Sequence, residues 1–427
     1  MAAECSHGAD GSGGSLSWTP VSIPRTDANP SSTRDAQGMP VLAVIGDGQL
    51  ARMMHTEAIE LGLAPRVLAG AKDASAAQVF GDVVIGDYKN LEDVKRVCDG
   101  AAAATFDHEH VPNEFLDQLI AEGVSVQPQP QALIFAQDKL EQRRKMEEIG
   151  APVPTFAPIE SAADAGAFFD SVEGAMCLKA TRGGYDGHGV WFPDSREEAE
   201  SLVSDLLAKG TPLYAERKIA FSRELSAMVA RTPSGEIQAW PVVESRQRDG
   251  ICVEAIAPAP NMSATQAEFC QELAKKIAAE LDVTGVLAVE LFERTDSAGE
   301  TTVTVNELAM RPHNTGHWTQ DGCVTSQFEQ HLRAVLDWPL GSVETTAAYT
   351  VMVNTLGADT EPTQPMEERV VEVMRRYPDA KVHLYGKGYR PGRKMGHVNI
   401  AGDDLDEVFA RAVAAADIIV NGVGGSN

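Results

Sequence analysis

The sequence is poor in cysteine and has no long apolar run. Its six cysteines, among 427 residues, lie far apart and form no Cys-x-x-Cys pair, which argues against a disulfide framework or a zinc site. No stretch approaches 18 consecutive apolar residues, and the N-terminus lacks the basic and apolar regions of a signal peptide. We therefore expect no transmembrane helix, and a cytoplasmic protein with reduced, mostly buried thiols.

Positive charge is also scarce. The chain has 36 Lys and Arg against 62 Asp and Glu, a formal net charge of −26 at pH 7. This excess argues against nucleic acid or an anionic membrane surface as the main partner, while leaving room for a local basic site that binds a small anion. With 43% hydrophobic and 23% charged residues, the chain should fold into two or three globular domains.

Composition and hydrophobic periodicity divide the chain into four segments. Residues 1–38 are rich in Gly, Ser, Pro, Asp and Thr and are predicted to be a disordered tail. Residues 39–136 alternate strands and helices, which is typical of a parallel α/β domain. Residues 137–217 form a small α+β unit, and residues 218–427 carry long strands with a β-rich end from about residue 345. The expected fold class is therefore α/β followed by α+β.

Five local predictions can be compared directly with the structure. The apolar run at residues 41–45 predicts a strand buried on both faces. Apolar spacing predicts a helix over residues 49–61 and a charged helix over residues 137–149. Residues 237–243 and the run at residues 370–374 are each interpreted as a strand.

A first glycine-rich loop follows the first predicted strand and opens a helix. It reads Gly46-Asp-Gly-Gln-Leu-Ala51, and the amides around Gly48, Gln49 and Leu50 could hold a substrate phosphate. A tight turn that only packs the helix on the sheet remains the alternative. A nicotinamide dehydrogenase is disfavoured, because residues 69–72 supply no ribose-binding carboxylate.

A second glycine-rich loop lies between two strand-like runs. Four glycines fall within residues 183–189, directly after Lys179 and Arg182. Backbone amides without neighbouring Cβ atoms can cover a polyphosphate, and Lys179 could reach its oxygens. The loop is no Walker motif, and an ordinary flexible hairpin remains the alternative.

Two carboxylates are predicted to face one another across a hairpin. If the turn centres on Ala298-Gly299, Glu290 lies opposite Glu307, on the same face of the sheet. Such a pair is unfavourable without a cation, and with the Asn306 carbonyl it offers the hard oxygen ligands that Mg²⁺ prefers. The alternatives are one protonated Glu or an ion pair with Arg311, and a bulge would change the register.

Two polar clusters follow the hairpin. Arg311, His313 and Asn314 fall within one short stretch and look like a reaction site.

The second cluster is basic. Arg390, Arg393 and Lys394 surround glycines in an otherwise acidic chain, which favours a site for a phosphate ester over a merely solvated turn.

Together these motifs resemble the ATP-grasp ligases, and among them those that carboxylate an aminoimidazole ribonucleotide in de novo purine biosynthesis. The resemblance covers Val41 to about His397. Its motifs are G-D-G-Q-L-A-R-M from Gly46, A-Q-D-K from Ala136, R-G-G-Y-D-G-H-G from Arg182, N-E-L-A-M-R-P-H-N-T-G-H-W-T-Q from Asn306 and R-P-G-R-K-M-G-H from Arg390. The chain departs from the family pattern at Asp107, where Glu is usual, and in residues 1–38.

The resemblance implies a three-domain ATP-grasp fold and a homodimer. Residues 39–136 would be the substrate-binding pre-ATP-grasp domain, residues 137–217 the central lid and residues 218–427 the C-terminal ATP-grasp domain. ATP and Mg²⁺ would lie between the last two, with Glu290 and Glu307 as metal ligands. The implied nucleotide contacts are Lys139 and Lys179 on phosphates, the mobile loop Gly184, Tyr185, Asp186, Gly187, His188, Gly189 and Val190, then Glu216, Arg217, Lys218 and Ile219 at adenine, Glu224 at ribose, and Gln247, Asn306 and Glu307.

The implied reaction converts ATP, bicarbonate and 5-aminoimidazole ribonucleotide to ADP, phosphate and N5-carboxyaminoimidazole ribonucleotide through carboxyphosphate. Arg311, His313 and Asn314 would hold bicarbonate or carboxyphosphate. Two alternatives are another ATP-grasp ligase, such as a formate-dependent glycinamide ribonucleotide transformylase, and a non-catalytic nucleotide-binding sensor. The R-P-G-R-K motif argues against the first, and the retained phosphate and metal ligands argue against the second.

Overall fold

The computed structural model describes residues 33–35, 37–183 and 189–423. The helices are α1 (Gln49–Glu60), α2 (Leu91–Cys98), α3 (Asn113–Ala121), α4 (Pro130–Gln137), α5 (Lys139–Glu148), α6 (Ala162–Ser171), α7 (Arg196–Ala208), α8 (Ala264–Glu280), α9 (Thr319–Gly322), α10 (Gln327–Val335), α11 (Met366–Arg376) and α12 (Leu405–Asn421). The strands are β1 (Val41–Ile45), β2 (Ala64–Ala69), β3 (Asp82–Ile85), β4 (Ala103–Phe106), β5 (Phe156–Ile159), β6 (Met176–Ala180), β7 (Val190–Trp191), β8 (Leu213–Arg217), β9 (Arg223–Arg231), β10 (Ile237–Ala239), β11 (Val243–Arg248), β12 (Ile251–Ala257), β13 (Gly285–Thr295), β14 (Thr301–Ala309), β15 (Tyr349–Leu356), β16 (Lys381–Leu384) and β17 (Lys394–Gly402).

The first sheet is parallel and has the strand order β3-β2-β1-β4. Every residue of β1 is buried, because helices cover both faces, as the continuous apolar run predicts. The carboxyl ends of β1 and β4 therefore bring Gly46 and Asp107 together at one edge of the sheet. Such an edge is where open α/β sheets bind ligands.

The second sheet is small and belongs to the segment between α5 and β9. Its order is β5-β8-β6-β7, and α6 and α7 pack on it around a core that includes Leu178, Val203 and Ala215. This core is separate from those that hold the other sheets together. Lys179 and Glu216 lie on its paired strands β6 and β8.

The third sheet is antiparallel along the path β14-β13-β9-β11-β12-β15-β17-β16, and β10 pairs with β9. The β-rich end of the chain thus continues the same sheet that carries Glu290 and Glu307. Phe328 and Leu332 of α10 pack with Met53 and Met54 of α1 in one core. This shared core joins the first sheet to the third, whereas the small sheet stands apart from it.

The structure differs from three expectations about individual elements. Residues 370–374 are part of helix α11, because Met366, Val370, Val373 and Tyr377 recur at helical spacing and pack on the C-terminal core. The helix predicted at 137–149 is interrupted at Asp138, which has extended backbone and caps α5 by accepting the amides of Leu140 and Glu141.

The strand expected over residues 237–243 is the third difference, since it is divided between β10 and β11.

The predicted tail lies largely outside the described residues. Within the described part, Arg34 forms an isolated β-bridge with Pro40, so strand-like pairing begins ahead of β1. No described helix has the length and apolarity needed to span a bilayer.

Candidate active site

Glu290 and Glu307 face each other across the β13–β14 hairpin, as the sequence predicts. The pairing nearest the turn is shifted by one residue from the predicted register, because Thr295 pairs with Thr301 and Leu291 with Val305. A bulge beside Glu290, at Asn306, then restores the expected pairing. The predicted pair is therefore observed, but the register of the turn was wrong and the bulge compensates for it.

The two carboxylates have different surroundings. Glu307 Oε1 lies 2.5 Å from Lys139 Nζ. Glu290 receives only a 3.3 Å hydrogen bond from Asn306 Nδ2 and lies 3.4 Å from His313 Nε2. Burial and then the charge of Glu307 raise the pKa of Glu290 to about 8. Glu290 is thus a carboxyl that would ionise fully only when a cation approaches it.

The carboxylate pair fits a Mg²⁺ ion that also takes ligands from a nucleotide. Among the described residues no three His, Cys, Asp or Glu side chains cluster as a complete metal cage. Two carboxylates in a cleft suit Mg²⁺, which keeps several waters and takes further ligands from nucleotide phosphates. The sequence left open an ion pair between this carboxylate pair and Arg311. Arg311 instead pairs with Glu109.

A cleft of about 900 Å³ lies between the small and the large sheet. Lys139 reaches it from the first turn of α5, and Lys179 from β6. Lys179 forms an ion pair with Glu216. Burial alone would lower the pKa of Lys179, but the charge of Glu216 outweighs it and raises that pKa. Two cations expected at nucleotide phosphates thus line one cleft with the carboxylate pair.

Arg143 is a residue that sequence reasoning missed. Its side chain is 1% exposed and donates to Glu216 Oε2 at 2.9 Å and to the Asn306 carbonyl at 2.6 Å. It therefore ties α5 to both sheets beneath the cleft. The only sequence signal is its position four residues after Lys139 on a helix, which places both on one face.

Glu216 is held between two cations. Burial by itself would raise its pKa, but the charges of Arg143 and then Lys179 hold the pKa at about 2. The Glu216 carboxylate is therefore paired with these cations. The adenine contact implied by the resemblance needs only the main chain from Glu216 to Ile219, which also lines the cleft.

Aromatic rings line the same end of the cleft and were not predicted. Phe221 and Phe292 stack with centroids 4.6 Å apart and planes 7° apart. Lys218 Nζ lies 4.8 Å from the ring centroid of Phe192. Flat apolar surfaces beside the 216–219 backbone suit a purine base.

Three further predicted nucleotide contacts lie on this wall or next to it. Arg217 is exposed and lines the cleft with Gln247, which follows a bulge in β11. Glu224 lies on β9 opposite Phe292, and burial raises its pKa to about 7. Its buried Oε2 atom has no hydrogen-bond partner among the described residues, which is compatible with a ligand hydroxyl.

The turn that carries Arg311, His313 and Asn314 is held by residues distant in sequence. Glu109 accepts from Arg311 Nε at 2.9 Å and from the Met310 amide at 3.1 Å. Gln327 accepts from the His313 amide and donates to the His313 carbonyl, both at 2.8 Å. Glu109 and Gln327 were missed because no local pattern links them to this turn.

His313 and Asn314 line the cleft with a ring of lowered pKa and a side-chain amide without a hydrogen-bond partner among the described residues. Burial and then the charge of Arg311 lower the pKa of His313 to about 3, so its ring is neutral at pH 7. The buried side-chain nitrogen and oxygen of Asn314 have no hydrogen-bond partner among the described residues. A small oxyanion beside Arg311 would supply the missing partner for the amide.

The first glycine-rich loop is shaped by Asp107. The Gly48 amide donates to Asp107 Oδ2 at 2.5 Å. Gly46 has φ of +114°, and a Cβ there would lie 1.8 Å from the same carboxylate, so glycine is required. Burial raises the pKa of Asp107 to about 7. The family-atypical Asp107 therefore touches the loop expected to bind substrate.

Lys387, which was not predicted, joins this loop to the basic turn. Its Nζ lies 2.5 Å from Gln49 Oε1. Burial, then the charges of Arg393 and Lys394, lower its pKa to about 8. Two regions predicted separately as substrate sites are therefore neighbours in space.

The three predicted cations of the basic turn are placed differently. Arg390 is exposed, and Arg393 donates to the Gly388 carbonyl at 3.1 Å. Lys394 lines the 900 Å³ cleft together with Asn314. Lys394 thus lies between the cleft and the basic turn.

The predicted phosphate loop is only partly described. Gly184, Tyr185, Asp186, Gly187 and His188 lie outside the described residues. Of its remaining members, Gly189 accepts from the Ala180 amide and Val190 pairs with Lys179.

Three known domain families match successive parts of the chain. They are a ribonucleotide synthetase preATP-grasp domain over residues 39–137, an ATP-grasp domain over residues 144–328 and a phosphoribosylaminoimidazole carboxylase C-terminal domain over residues 350–411. The first match covers the parallel sheet, the second covers the small sheet and strands β9–β14 of the large sheet, and the third covers strands β15–β17 of that same large sheet.

Full-length relatives and solved structures are also similar. The chain is 58% identical over 401 residues to the N5-carboxyaminoimidazole ribonucleotide synthase of Corynebacterium ammoniagenes, covering 94% of this chain and 96% of that protein. It is 50% identical over 383 residues to the enzyme of the same name from Mycobacterium tuberculosis, covering 90% and 88%.

Two crystal structures share the fold along nearly the whole chain. The N5-carboxyaminoimidazole ribonucleotide synthetase of Thermus thermophilus matches with TM-score 0.78 and 33% identity, covering 90% of this chain and 100% of that one. The N5-carboxyaminoimidazole synthase of Aspergillus clavatus, in complex with ADP and the aminoimidazole ribonucleotide, matches with TM-score 0.79 and 30% identity, covering 89% and 98%.

Proposed function

The chain belongs to the N5-carboxyaminoimidazole ribonucleotide synthases of the ATP-grasp family, and we propose that its large cleft holds ATP and bicarbonate beside a separate ribonucleotide site. The protein is an ATP-dependent ligase that carboxylates 5-aminoimidazole ribonucleotide in purine biosynthesis. The observation that carries the site assignment is that Lys139, Lys179, the Glu290–Glu307 pair and the Arg311 turn line one cleft. No feature of the described residues favours the transformylase or the non-catalytic sensor considered from the sequence.

The first step is phosphoryl transfer to bicarbonate. A bicarbonate oxygen attacks the γ-phosphorus of ATP, the bond to the bridging oxygen breaks, and ADP leaves with that electron pair. Lys139 and Lys179 hold the phosphate oxygens, while Arg311 and Asn314 orient the bicarbonate. Mg²⁺, held by Glu290 and Glu307, would neutralise charge on the phosphate oxygens.

The second step is capture of the activated carboxyl group. The exocyclic amine attacks the carbon of carboxyphosphate, or of CO₂ released from it, phosphate leaves, and the amine nitrogen loses a proton. His313 is neutral and can exchange hydrogen bonds with the intermediate without adding charge. Gly48, Gln49 and Leu50, with Arg390, Arg393 and Lys394, orient the ribonucleotide. Lys387 joins these residues because it contacts Gln49.

The carboxylate pair supports the proposal of Mg²⁺. The unpartnered Asn314 amide beside Arg311 supports the proposal of bicarbonate. A cytoplasmic location agrees with the buried free thiols of Cys98, Cys177, Cys252, Cys270 and Cys323. The homodimer is carried over from the family resemblance, and the domain limits at residues 136 and 217 come from the composition and periodicity of the sequence.

The overall assignment is tested by the substrate dependence of ADP release. We expect release to require Mg²⁺ and to rise sharply when bicarbonate and 5-aminoimidazole ribonucleotide are both present, because the phosphoryl acceptor and its trap are then in place. A coupled assay for ADP, with each substrate omitted in turn, measures this. Equal ATP hydrolysis with and without the ribonucleotide would contradict the assignment.

Arg393→Ala tests the division between the two anion sites. A charge-assisted hydrogen bond to phosphate is worth roughly 1.5–3 kcal/mol, so kcat/KM for the ribonucleotide should fall about ten- to a hundredfold. The KM for ATP should barely change, because Lys139 and Lys179 hold its phosphates. Arg411→Ala is the control, since this arginine pairs with Asp379 and Glu407 far from the cleft. A raised KM for ATP with an unchanged KM for the ribonucleotide would show that the turn serves ATP.

A further inference from the structure

A column of stacked rings lies between the two anion sites. His397 is sandwiched between His383, at 4.5 Å and 13°, and His317, at 4.9 Å and 26° between centroids and planes. Phe328 extends the column beyond His317, at 5.7 Å. His317 and His397 are fully buried. None of these three histidines has a role in the function proposed above.

Each ring is held at its edge by a specific hydrogen bond. His317 Nδ1 lies 2.9 Å from Gln327 Nε2, an amide donor, so this ring nitrogen accepts. His397 Nδ1 lies 2.8 Å from the Tyr385 hydroxyl, and His383 Nε2 lies 2.8 Å from Asp321 Oδ2. Burial lowers the pKa of His317 and of His397 well below the ordinary value. Both central rings are therefore uncharged and fixed in orientation.

The column is connected to the bicarbonate turn through His317. Gln327, which bonds His317, also bonds the amide and the carbonyl of His313. His317 itself follows the 3-10 turn Asn314–Gly316. Asn399 of β17 donates to the His317 carbonyl at 3.0 Å. Movement of the His317 ring would therefore shift His313 and Asn314.

The column is connected to the basic cluster through its sandwiched ring, His397. His397 lies on β17 three residues after Lys394, and its partner Tyr385 lies two residues before Lys387. The Tyr385 amide bonds the Met395 carbonyl at 2.9 Å. His397 and Tyr385 thus fix the strand and the loop that present these two lysines.

We propose that the stacked His317, His397 and His383 rings are positioning residues that set the separation between the bicarbonate turn and the ribonucleotide site. This inference rests on the proposed function, because it assumes an intermediate made at one site and captured at the other. Carboxyphosphate that is not captured reacts with water, whose oxygen replaces phosphate on carbon and regenerates bicarbonate. A small misplacement of the amine therefore allows ATP to be spent without product.

The test is the yield of carboxylated ribonucleotide per ADP released. In His397→Leu, which removes the central ring, we expect this ratio to fall severalfold, and by up to about a hundredfold if the amine is displaced by an ångström. The KM for ATP should stay within about twofold of wild type, because no nucleotide contact is altered. His397→Phe keeps the stacking ring and should recover part of the ratio. ADP is followed by a coupled assay, and the carboxylated ribonucleotide by the radiolabel that it retains from bicarbonate after quenching in base, where the N-carboxylate is stable.

Further variants separate positioning from general destabilisation. Tyr385→Phe removes only one hydroxyl and should lower the ratio less than His397→Leu, even if the latter folds poorly. His55→Leu is the control, because His55 also stacks on a ring, Phe80 at 4.4 Å, but in the first domain, and its ratio should match wild type.

The outcomes distinguish this inference from the function on which it rests. A wild-type protein that makes no carboxylated product would overturn the proposed function. Wild-type protein that couples well, together with folded variants of His397 and Tyr385 that release less ADP at an unchanged ratio, would overturn the positioning role alone.

Discussion

Glu307→Gln and Glu290→Gln should each lower turnover by about a hundredfold or more, the scale of losing one preorganised electrostatic contact to a developing charge. Each substitution removes a negative charge from the pair that faces the proposed Mg²⁺. Steady-state ADP release with saturating substrates measures the effect. Glu300→Gln, in the exposed turn of the same hairpin, is the matched control and should behave as wild type.

The two variants should differ in stability, because their surroundings differ. Without a cation, burial and the charge of Glu307 raise the pKa of Glu290, so its protonated carboxyl is favoured and a neutral amide resembles it. Glu290→Gln should therefore unfold at nearly the wild-type temperature. Glu307→Gln removes the partner of Lys139 and should be the less stable of the two.

A binding measurement separates metal loss from other defects. Calorimetric titration with ADP should show that Mg²⁺ strengthens binding to the wild type more than to either variant. Near-normal turnover together with an unchanged Mg²⁺ effect would remove Glu290 and Glu307 from the metal site.

Glu216→Gln should destabilise the fold by about 3–5 kcal/mol, the cost of leaving buried cations without their counter-ion. Arg143 is 1% and Lys179 12% exposed, so water cannot replace the lost carboxylate. Urea unfolding measures the change. Glu141→Gln is the control on the same helix as Arg143, because its ion pair with Arg144 is exposed and is worth only about 0–1 kcal/mol.

The same carboxylate predicts how stability depends on acid. The pKa of Glu216 is about 2 in the folded protein against 4.5 for a free glutamate, so the folded state binds the proton less readily. Its contribution, about 3 kcal/mol, is complete above about pH 4.5 and is lost as the pH falls toward 2. Glu216→Gln should therefore flatten the acid limb of the stability curve between these values. An acid limb as steep as that of wild type would contradict this role.

Local elements were predictable where a single short pattern decides them. The apolar run of β1 and the spacing of α1 predicted both elements within a residue. The stretch at 370–374 was misread because a short apolar run suits either a strand or one face of a helix. Only the core contacts of Met366 and Tyr377 decide between the two.

The β13–β14 hairpin was predicted only in part from the sequence. Alternation along two strands correctly places Glu290 opposite Glu307, since side chains repeat every second residue. The bulge at Asn306 could not be read, because a one-residue insertion depends on how β13 also pairs with β9. The shifted register near the turn and the bulge at Asn306 offset each other, so Glu290 still lies opposite Glu307.

The sequence by itself determined which chemical groups this protein has and on which local elements they stand: glycine loops after strands, a carboxylate hairpin, a polar turn and a basic turn. Only the tertiary structure decided which of them meet. Lys387 reaches Gln49 across 338 positions of chain, and Glu109 reaches Arg311 across 202. Periodicity and turn chemistry act over a few residues, whereas these contacts depend on how α1 and α10 pack in one shared core, which no short pattern encodes.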